Sequence, residues 1–332
     1  MLMNHHYLKE LKNCQLCPWK CGVNRLEGEK GACLMGLPEV AYTGLTPVLQ
    51  SYSITLLGCS FRCLYCNAYR ISQYPDSGWR YRGYVKPEVM VREAVGEFKS
   101  SLGRDLGVKR ISFTGGEPSL HTPYLEEVSR LIQLQQPGLE VGVATNGFCT
   151  TSTMKRLAQL SNYINFEIKA WDTELHQAIT GAPVEPVLRN AKWIAQEHPE
   201  KIRVFRTVVI PGINQAEVIK IARFIAELDP TLPYRLVGFR PHFMLYYHPA
   251  PTRAYLQNLV EECREAGLEQ VDFSGYYPGS MMSFSGHNGL KTTYQHLNQA
   301  GCYRKPRNCG TCPENHHCPA LVLEPWTNPP PG

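Results

Sequence analysis

Short hydrophobic runs alternate along most of the chain with longer amphipathic stretches. The runs have the length and composition of buried strands, and the stretches between them carry apolar residues at helical spacing. Strands are predicted at Ser51–Leu57, Arg110–Thr114, Glu140–Thr145, Tyr163–Lys169, Arg203–Ile210 and Tyr234–Phe239, with a weaker one at Gln270–Phe273. Helices are predicted near residues 87–100, 123–135, 152–160, 186–197, 215–228 and 251–266.

This alternation of strands and helices predicts βαβ units with parallel strands. Six or seven repeats are too few to close an eight-stranded barrel, so residues 51–275 are expected to form an α/β core, a partial (β/α)6-type open parallel barrel. Functional side chains in such folds lie at the carboxyl ends of the strands. Asn214 followed by Glu217 predicts a capped helix start.

The two ends of the chain lack this periodicity and are rich in cysteine. Residues 1–50 are predicted to be an N-terminal metal-binding segment. Residues 276–332 are predicted to be a Cys-rich C-terminal segment that ends in an extended or disordered tail. We therefore expect three parts: two Cys-rich extensions and one core between them.

Composition narrows the class of protein. Hydrophobic residues make up 43% of the 332 residues and charged residues 19%, which is typical of a globular protein with a sizeable core. No apolar run approaches the length of a membrane span, and the first residues lack the apolar region of a secretory signal, so a cytoplasmic protein is expected. The formal charge of +5 is too small to indicate nucleic-acid binding.

Cysteine is the informative residue type, because the chain has thirteen. Without a secretion signal, thiols are expected to stay reduced, which favours metal sites over disulfides. Cys149 and Cys263 stand alone and are expected to be buried apolar residues. The other eleven form three groups: Cys14, Cys17, Cys21 and Cys33; Cys59, Cys63 and Cys66; Cys302, Cys309, Cys312 and Cys318.

The central group has only three cysteines, spaced C-x₃-C-x₂-C, directly after the first predicted strand. Three thiolates on a tight loop can hold three irons of a [4Fe–4S] cluster and leave the fourth iron open for another ligand. A zinc site that uses the same three cysteines and a distant histidine is the alternative.

Further motifs follow the next predicted strands. They are Thr-Gly-Gly-Glu-Pro at 114–118, Ala-Thr-Asn-Gly at 144–147, Phe-Glu-Ile-Lys-Ala at 166–170, Val-Ile-Pro-Gly at 209–212 and Phe-Arg-Pro-His at 239–242. Together with the three cysteines, this ordered set resembles the radical S-adenosylmethionine (SAM) superfamily. Within that superfamily it is most similar to pyruvate formate-lyase-activase-like proteins, which activate glycyl-radical enzymes.

The resemblance implies roles for particular residues. Cys59, Cys63 and Cys66 would hold a [4Fe–4S] cluster whose open iron binds SAM. The residues expected to contact the cofactor are Tyr65, Gly115, Gly116, Glu117, Asn146, Glu167, Lys169 and His242. Glu117 would receive the SAM amino group, and Lys169 would pair with the SAM carboxylate.

Less specific interpretations remain for the charged residues. Glu167 departs from the aspartate of the activases, and Glu167 and Lys169 could equally form a structural ion pair. The match at His242 is loose. Arg206, Arg235 and Arg240 could pair with carboxylates, but surface charge is the favoured interpretation for each.

Each outer cysteine group can supply four thiolates. The first group resembles the leader of uncharacterised activase-like proteins, and the last resembles part of the SPASM cluster domain of peptide-modifying radical SAM enzymes. Four thiolates suit a structural zinc ion or a second and third Fe–S cluster, and spacing does not choose between them.

The leading functional hypothesis is an enzyme that reductively cleaves SAM and abstracts hydrogen from a substrate. The resemblance implies a flavodoxin- or ferredoxin-type reductant and a glycine of a partner enzyme as substrate. Modification of another protein, a peptide or a small molecule with the help of auxiliary clusters is the alternative. An Fe–S electron carrier and a zinc-stabilised binding module are alternative hypotheses from other functional classes.

Overall fold

The computed structural model describes residues 6–75 and 81–275, which contain one eight-stranded sheet with helices packed along it. The strands are β1 Val40–Thr46, β2 Ser51–Leu56, β3 Arg110–Gly115, β4 Glu140–Thr145, β5 Tyr163–Glu167, β6 Ile202–Val209, β7 Tyr234–Gly238 and β8 Val271–Ser274. All seven predicted strands are present, with ends shifted by at most two residues.

The strands lie in sequence order across the sheet. Strands β2 to β8 run parallel, and β1 pairs antiparallel with β2 at one edge. Because β1 and β8 form the two edges, the sheet stays open. The prediction of an open, parallel α/β architecture is confirmed.

The α-helices connect these strands and cover the sheet. They are α1 Tyr69–Ser72, α2 Pro87–Lys99, α3 Ser101–Asp105, α4 Thr122–Gln135, α5 Thr151–Leu160, α6 Thr173–Thr180, α7 Glu185–Glu197, α8 Gln215–Leu228 and α9 Arg253–Glu265. Helix α4 packs between α2 and α5, and α8 packs against α9. Proline in the first turn of α2, α4 and α7 favours helix initiation, because its missing N–H is not needed there.

Four of these elements were not predicted: strand β1 and the short helices α1, α3 and α6. Strand β1 lies in the segment that was expected to have little regular structure, and it joins the sheet through its pairing with β2. Helix α6 is only eight residues long, and the side chain of Asp172 caps it by accepting from the N–H groups of Glu174 and Leu175. All four unpredicted elements have sequence signals that are weaker than the apolar periodicity of the longer elements.

The start of α8 was predicted correctly, but the capping interaction was wrong. The Asn214 side chain makes no cap; it accepts from the N–H of Ile210 at 2.7 Å and donates to the carbonyl of Val208 at 2.8 Å. Glu217 turns away and accepts from the N–H groups that follow β5, those of Trp171 and Asp172. Both side chains therefore fix loops at the carboxyl edge of the sheet.

Other expectations concern residues beyond this part of the chain. Cys302, Cys309, Cys312 and Cys318, and the tail after them, lie outside the described residues. Among the residues that are described, no helix is long and apolar enough to cross a membrane.

Replacement of Asn214 tests its role at the sheet edge. Asn214→Ala would leave buried backbone groups without partners, so we expect the free energy of unfolding to fall by about 1–3 kcal/mol. Denaturant unfolding followed by circular dichroism measures this. Gln133→Ala, at an exposed position of α4, is the control, and an equal effect of both variants would contradict the assignment.

Candidate active site

A cavity of about 380 Å³ opens at the carboxyl ends of the parallel strands. Six successive strands, β2 to β7, contribute to its wall, either from the loops that follow them or, in β6, from the strand itself. The predicted residues that line it are Cys59, Cys63, Cys66, Tyr65, Gly115, Gly116, Glu117, Asn146, Glu167 and Lys169. Residues predicted from motifs far apart in the chain are thus brought to one place by the parallel topology.

The cysteine loop follows β2 directly and is largely buried. Cys59 and Cys63 are each 8% exposed, and Cys66 is half-buried. Three groups approach two of the sulfurs: the N–H of Phe61 lies 3.4 Å and the Nδ2 of Asn146 lies 3.7 Å from Cys59 Sγ, and Ser72 Oγ lies 3.1 Å from Cys66 Sγ. The two N–H donors at Cys59 favour the thiolate form that a metal requires.

Burial nevertheless keeps these thiols protonated when no metal is bound. It raises the pKa of Cys63 to about 12, against a partly offsetting effect of Lys169. Burial also raises the pKa of Cys59 well above its ordinary value and raises that of Cys66. Cluster binding would therefore release protons, and the iron ions would compensate the charge of the thiolates that form.

The donor set fits an iron–sulfur cluster better than a single ion. Across the described residues, no three His, Cys, Asp or Glu side chains converge closely enough to hold one metal ion. Thiolates that bind zinc meet at a single centre, at about 2.3 Å from it. Thiolates that bind a cubane each take a different iron and need not converge. Three cysteines that line one cavity satisfy the second requirement.

The double glycine lets two loops approach at backbone distance. A Cβ at Gly115 would lie 2.3 Å from the carbonyl oxygen of Leu56, and one at Gly116 would lie 1.8 Å from that of Gly58. The N–H of Gly116 donates to Leu56 and that of Glu117 donates to Gly58. The structure shows that these glycines admit the cysteine loop. Their contact with the cofactor stays a prediction.

Glu117 is fully buried and joins the loops after β3 and β4. Its carboxylate accepts from the N–H of Ser119 at 2.9 Å, the hydroxyl of Thr145 at 2.6 Å and the N–H of Asn146 at 2.7 Å. Burial raises its pKa, and these hydrogen bonds oppose that rise. The side chain therefore already has three partners within the chain.

Glu167 lies between two cations at the ends of β5 and β6. It pairs with Lys169, and Arg206 Nη2 lies 2.7 Å from its carboxylate. Burial acts to raise the pKa of Glu167, but the two positive charges outweigh it and lower the pKa to about 2. The pKa of Lys169 is raised, because Glu167 outweighs the effect of burial. One carboxylate between two cations leaves a net positive charge facing the cavity.

Arg206 was interpreted from the sequence as a surface charge, and this was wrong. It is partly buried, lines the cavity and pairs with Glu167. The register of β5 and β6 places Arg206 directly beside Glu167. The alternation along β6 was visible in the sequence, but the partner strand was needed to show what the side chain meets.

Tyr65 lines the cavity, whereas His242 does not. Tyr65 is buried at the cavity wall, and its hydroxyl has no hydrogen-bond partner in the described chain. His242 is not among the lining residues, although Phe239 and Arg240 of the same loop are. Burial lowers the pKa of His242, and the nearby Arg240 lowers it further. Its contact with a cofactor stays a prediction.

The four N-terminal cysteines also come together, beside the central loop. Cys14, Cys17 and Cys33 are buried, and Cys21 is exposed. Burial raises the pKa of Cys17 to about 12, and the other three thiols add to this rise. Burial likewise raises the pKa of Cys33, against the opposing charge of Arg25.

Comparison with known proteins identifies the family to which the central part of the chain is similar. Residues 53–225, just over half of the chain, match the model of the Radical SAM superfamily. The chain is 25% identical over 291 residues to the uncharacterised protein MJ0808 of Methanocaldococcus jannaschii, covering 80% of this chain and 81% of that protein. It is 29% identical over 208 residues to the pyruvate formate-lyase-activating enzyme of Staphylococcus epidermidis, covering 56% and 75% respectively.

Relatives with other activities match as well. The GTP 3′,8-cyclase of Limosilactobacillus fermentum is 24% identical over 236 residues, which is 70% of this chain and 67% of the cyclase. Among solved structures, Streptococcus suis SuiB bound to S-adenosylmethionine has a TM-score of 0.49 and 18% identity, covering 65% of this chain and 48% of SuiB. Because the family model matches more than half of this chain, the chain belongs to the radical SAM superfamily.

Proposed function

We propose that Cys59, Cys63 and Cys66 hold a [4Fe–4S] cluster and that SAM occupies the adjoining cavity. The observation that carries this proposal is the composition of the cavity wall. Within the described ranges, the wall contains three cysteines and no histidine or fourth cysteine that would complete a closed site. An incomplete ligand set leaves a metal position for an exogenous ligand, as in open metal sites generally.

The charged residues of the cavity are complementary to the carboxylate and amino groups of SAM. Lys169 and Arg206 outnumber Glu167, so this side of the cavity would attract the SAM carboxylate through charge-assisted hydrogen bonds. Glu117 lies in the loop after β3, beside the cysteine loop, where its carboxylate would favour the SAM amino group. Asn146, Tyr65 and the glycine loop would form the rest of the wall.

Reductive cleavage of SAM by the cluster would supply a 5′-deoxyadenosyl radical that abstracts hydrogen from the substrate. An electron would come from a flavodoxin- or ferredoxin-type protein. The free cysteines of the described chain suit the reducing conditions of the cytoplasm, where we place the enzyme.

For the substrate, we propose a glycine of a partner enzyme. The similarity to a pyruvate formate-lyase-activating enzyme over three quarters of its length supports this choice. A small anionic molecule is the second candidate, because Arg206 and Arg240 both line the cavity and a GTP 3′,8-cyclase is also a relative. A cavity with two arginines provides complementary charge for such a substrate.

The cluster assignment is tested with Cys63→Ala. We expect this variant to lose cluster iron and to form no 5′-deoxyadenosine when anaerobic, reconstituted protein receives SAM and dithionite, because one of three iron ligands is missing. Chromatographic quantification of 5′-deoxyadenosine measures this. Cys263→Ala, at a fully buried position in α9, is the matched control and should retain activity. Wild-type cleavage by Cys63→Ala would refute the assignment.

The SAM-binding charge is tested with Lys169→Met. Loss of a charge-assisted contact of about 1.5–3 kcal/mol should weaken SAM binding roughly 10- to 100-fold. Anaerobic equilibrium dialysis with labelled SAM measures the dissociation constant, and visible absorption confirms that the cluster is retained. Lys192→Met, at an exposed position of α7, is the control. Unchanged SAM affinity would mean that Lys169 serves only the ion pair with Glu167.

The substrate class is tested by isotope transfer. Cells of the source organism are grown with α-deuterated glycine, and their extract is divided by ultrafiltration into protein and small-molecule fractions. If a protein glycine is the substrate, only the protein fraction should stimulate SAM cleavage and deliver deuterium to 5′-deoxyadenosine, detected by mass spectrometry. Stimulation by the small-molecule fraction alone would favour the second candidate.

A further inference from the structure

Arg25 is an arginine side chain whose charge has no anionic partner in the described chain. It is fully buried, with 0% of its surface exposed. Its Nε donates to the carbonyl of Gly36 at 2.7 Å, and its Nη1 donates to that of Leu120 at 2.7 Å. Its Nη2 has no hydrogen-bond partner in this part of the molecule. Neutral carbonyls accept hydrogen bonds but do not neutralise the charge.

A buried, uncompensated charge is unfavourable, and proteins pair such groups with an opposite charge. Arginine does not escape this cost by losing its proton, because its pKa is too high. The side chains next to Arg25 indicate what the anion is. Its Nη1 lies 3.8 Å from the sulfur of Cys14, and Cys14 belongs to the N-terminal group of four cysteines.

Local backbone structure holds these four cysteines together. The N–H of Cys14 donates to Val23, and the N–H of Gly22 donates back to Cys14, which closes the turn that contains Cys17 and Cys21. The N–H of Ala32 donates to the sulfur of Cys21 at 3.3 Å, which brings the loop before Cys33 onto the same group. The arrangement therefore offers four sulfurs on one side of a buried cation.

We propose that Cys14, Cys17, Cys21 and Cys33 bind a metal centre as four thiolates and that its net negative charge neutralises Arg25. The centre is a [4Fe–4S] cluster, because the described cysteines do not converge on one point as the ligands of a single zinc ion would. Four thiolates exceed the positive charge of an oxidised [4Fe–4S] core, so the bound centre is an anion. Arg25, whose Nη1 lies beside the sulfur of Cys14, therefore gains an anionic neighbour only when metal binds.

This metal centre also supports the loops of the central cavity. Arg25 holds the carbonyl of Leu120, three residues after Glu117. Trp19, between Cys17 and Cys21, donates from its indole N–H to the carbonyl of Ser60 at 3.0 Å. Its ring packs on Phe148, in the loop after β4, with centroids 5.4 Å apart. The N-terminal centre thus supports the cysteine loop and the loops after β3 and β4.

Metal content tests the site independently of the proposed function. In full-length Cys63→Ala protein, which lacks the central cluster, a further Cys17→Ala change should remove about four irons with their sulfides per chain. Elemental analysis and sulfide assay measure this, and Cys263→Ala in the same background is the control. Equal iron contents with and without Cys17→Ala, or zinc in place of iron, would overturn the proposal.

The role of Arg25 is tested by a thermal double-mutant cycle. Arg25→Met should lower the Tm of metal-loaded protein, because it removes the cation from an anionic centre. In Cys17→Ala protein it should leave the Tm unchanged or raise it, because an uncompensated buried charge is removed. The hydrogen bonds to Gly36 and Leu120 are lost in both backgrounds, so their contribution cancels.

We expect the two effects of Arg25→Met to differ by roughly 4 °C or more. Arg25→Lys, which keeps the charge, should retain the metal. Equal Tm changes in both backgrounds would show that Arg25 contributes hydrogen bonds alone and would overturn the charge pairing. If Cys17→Ala does not fold, the rate of metal release to a chelator is compared instead. Release should be about tenfold faster from Arg25→Met than from wild type or Arg25→Lys, and equal rates would overturn the pairing.

Discussion

Two backbone hydrogen bonds between the cysteine loop and the double-glycine loop organise the whole site. They run from Gly116 to Leu56 and from Glu117 to Gly58, and they continue the parallel pairing of β2 and β3 beyond the ends of both strands. Side chains at 115 and 116 would push the loops apart. The three cysteines therefore face the cavity because the next strand's loop meets their own at backbone distance.

The hydrogen-bond network continues from this pair of loops to the next loops along the sheet. The carboxylate of Glu117 accepts from the loop after β4, and Asn146 of that loop reaches back to Cys59. Loss of any of the hydrogen bonds that this buried carboxylate accepts would cost free energy. Each loop therefore constrains the position of its neighbour. The sulfurs, the cavity and the charged residues at β5 and β6 thus form one connected wall.

Buried charges are balanced differently on the two sides of the cysteine loop. Glu167 is compensated within the protein by Lys169 and Arg206. Arg25 meets only carbonyl groups and a thiol, so its compensation depends on what the four N-terminal cysteines bind. On this view the N-terminal segment is held to the core by electrostatics as well as by packing, and its metal acts on the loops that surround the central cavity.

The sequence by itself determined the order of strands and helices, the open parallel fold and the cysteine loop after the first parallel strand, because apolar periodicity and ligand spacing are local properties. Tertiary structure decided the rest. Only the pairing of β1 with β2 shows that the N-terminal segment joins the sheet, and only the register of β5 and β6 places Arg206 beside Glu167. Asn214 and Glu217 likewise serve loops that local capping rules do not include. These contacts join residues distant in the chain, and the free energy that selects them arises from burial and pairing across the folded core.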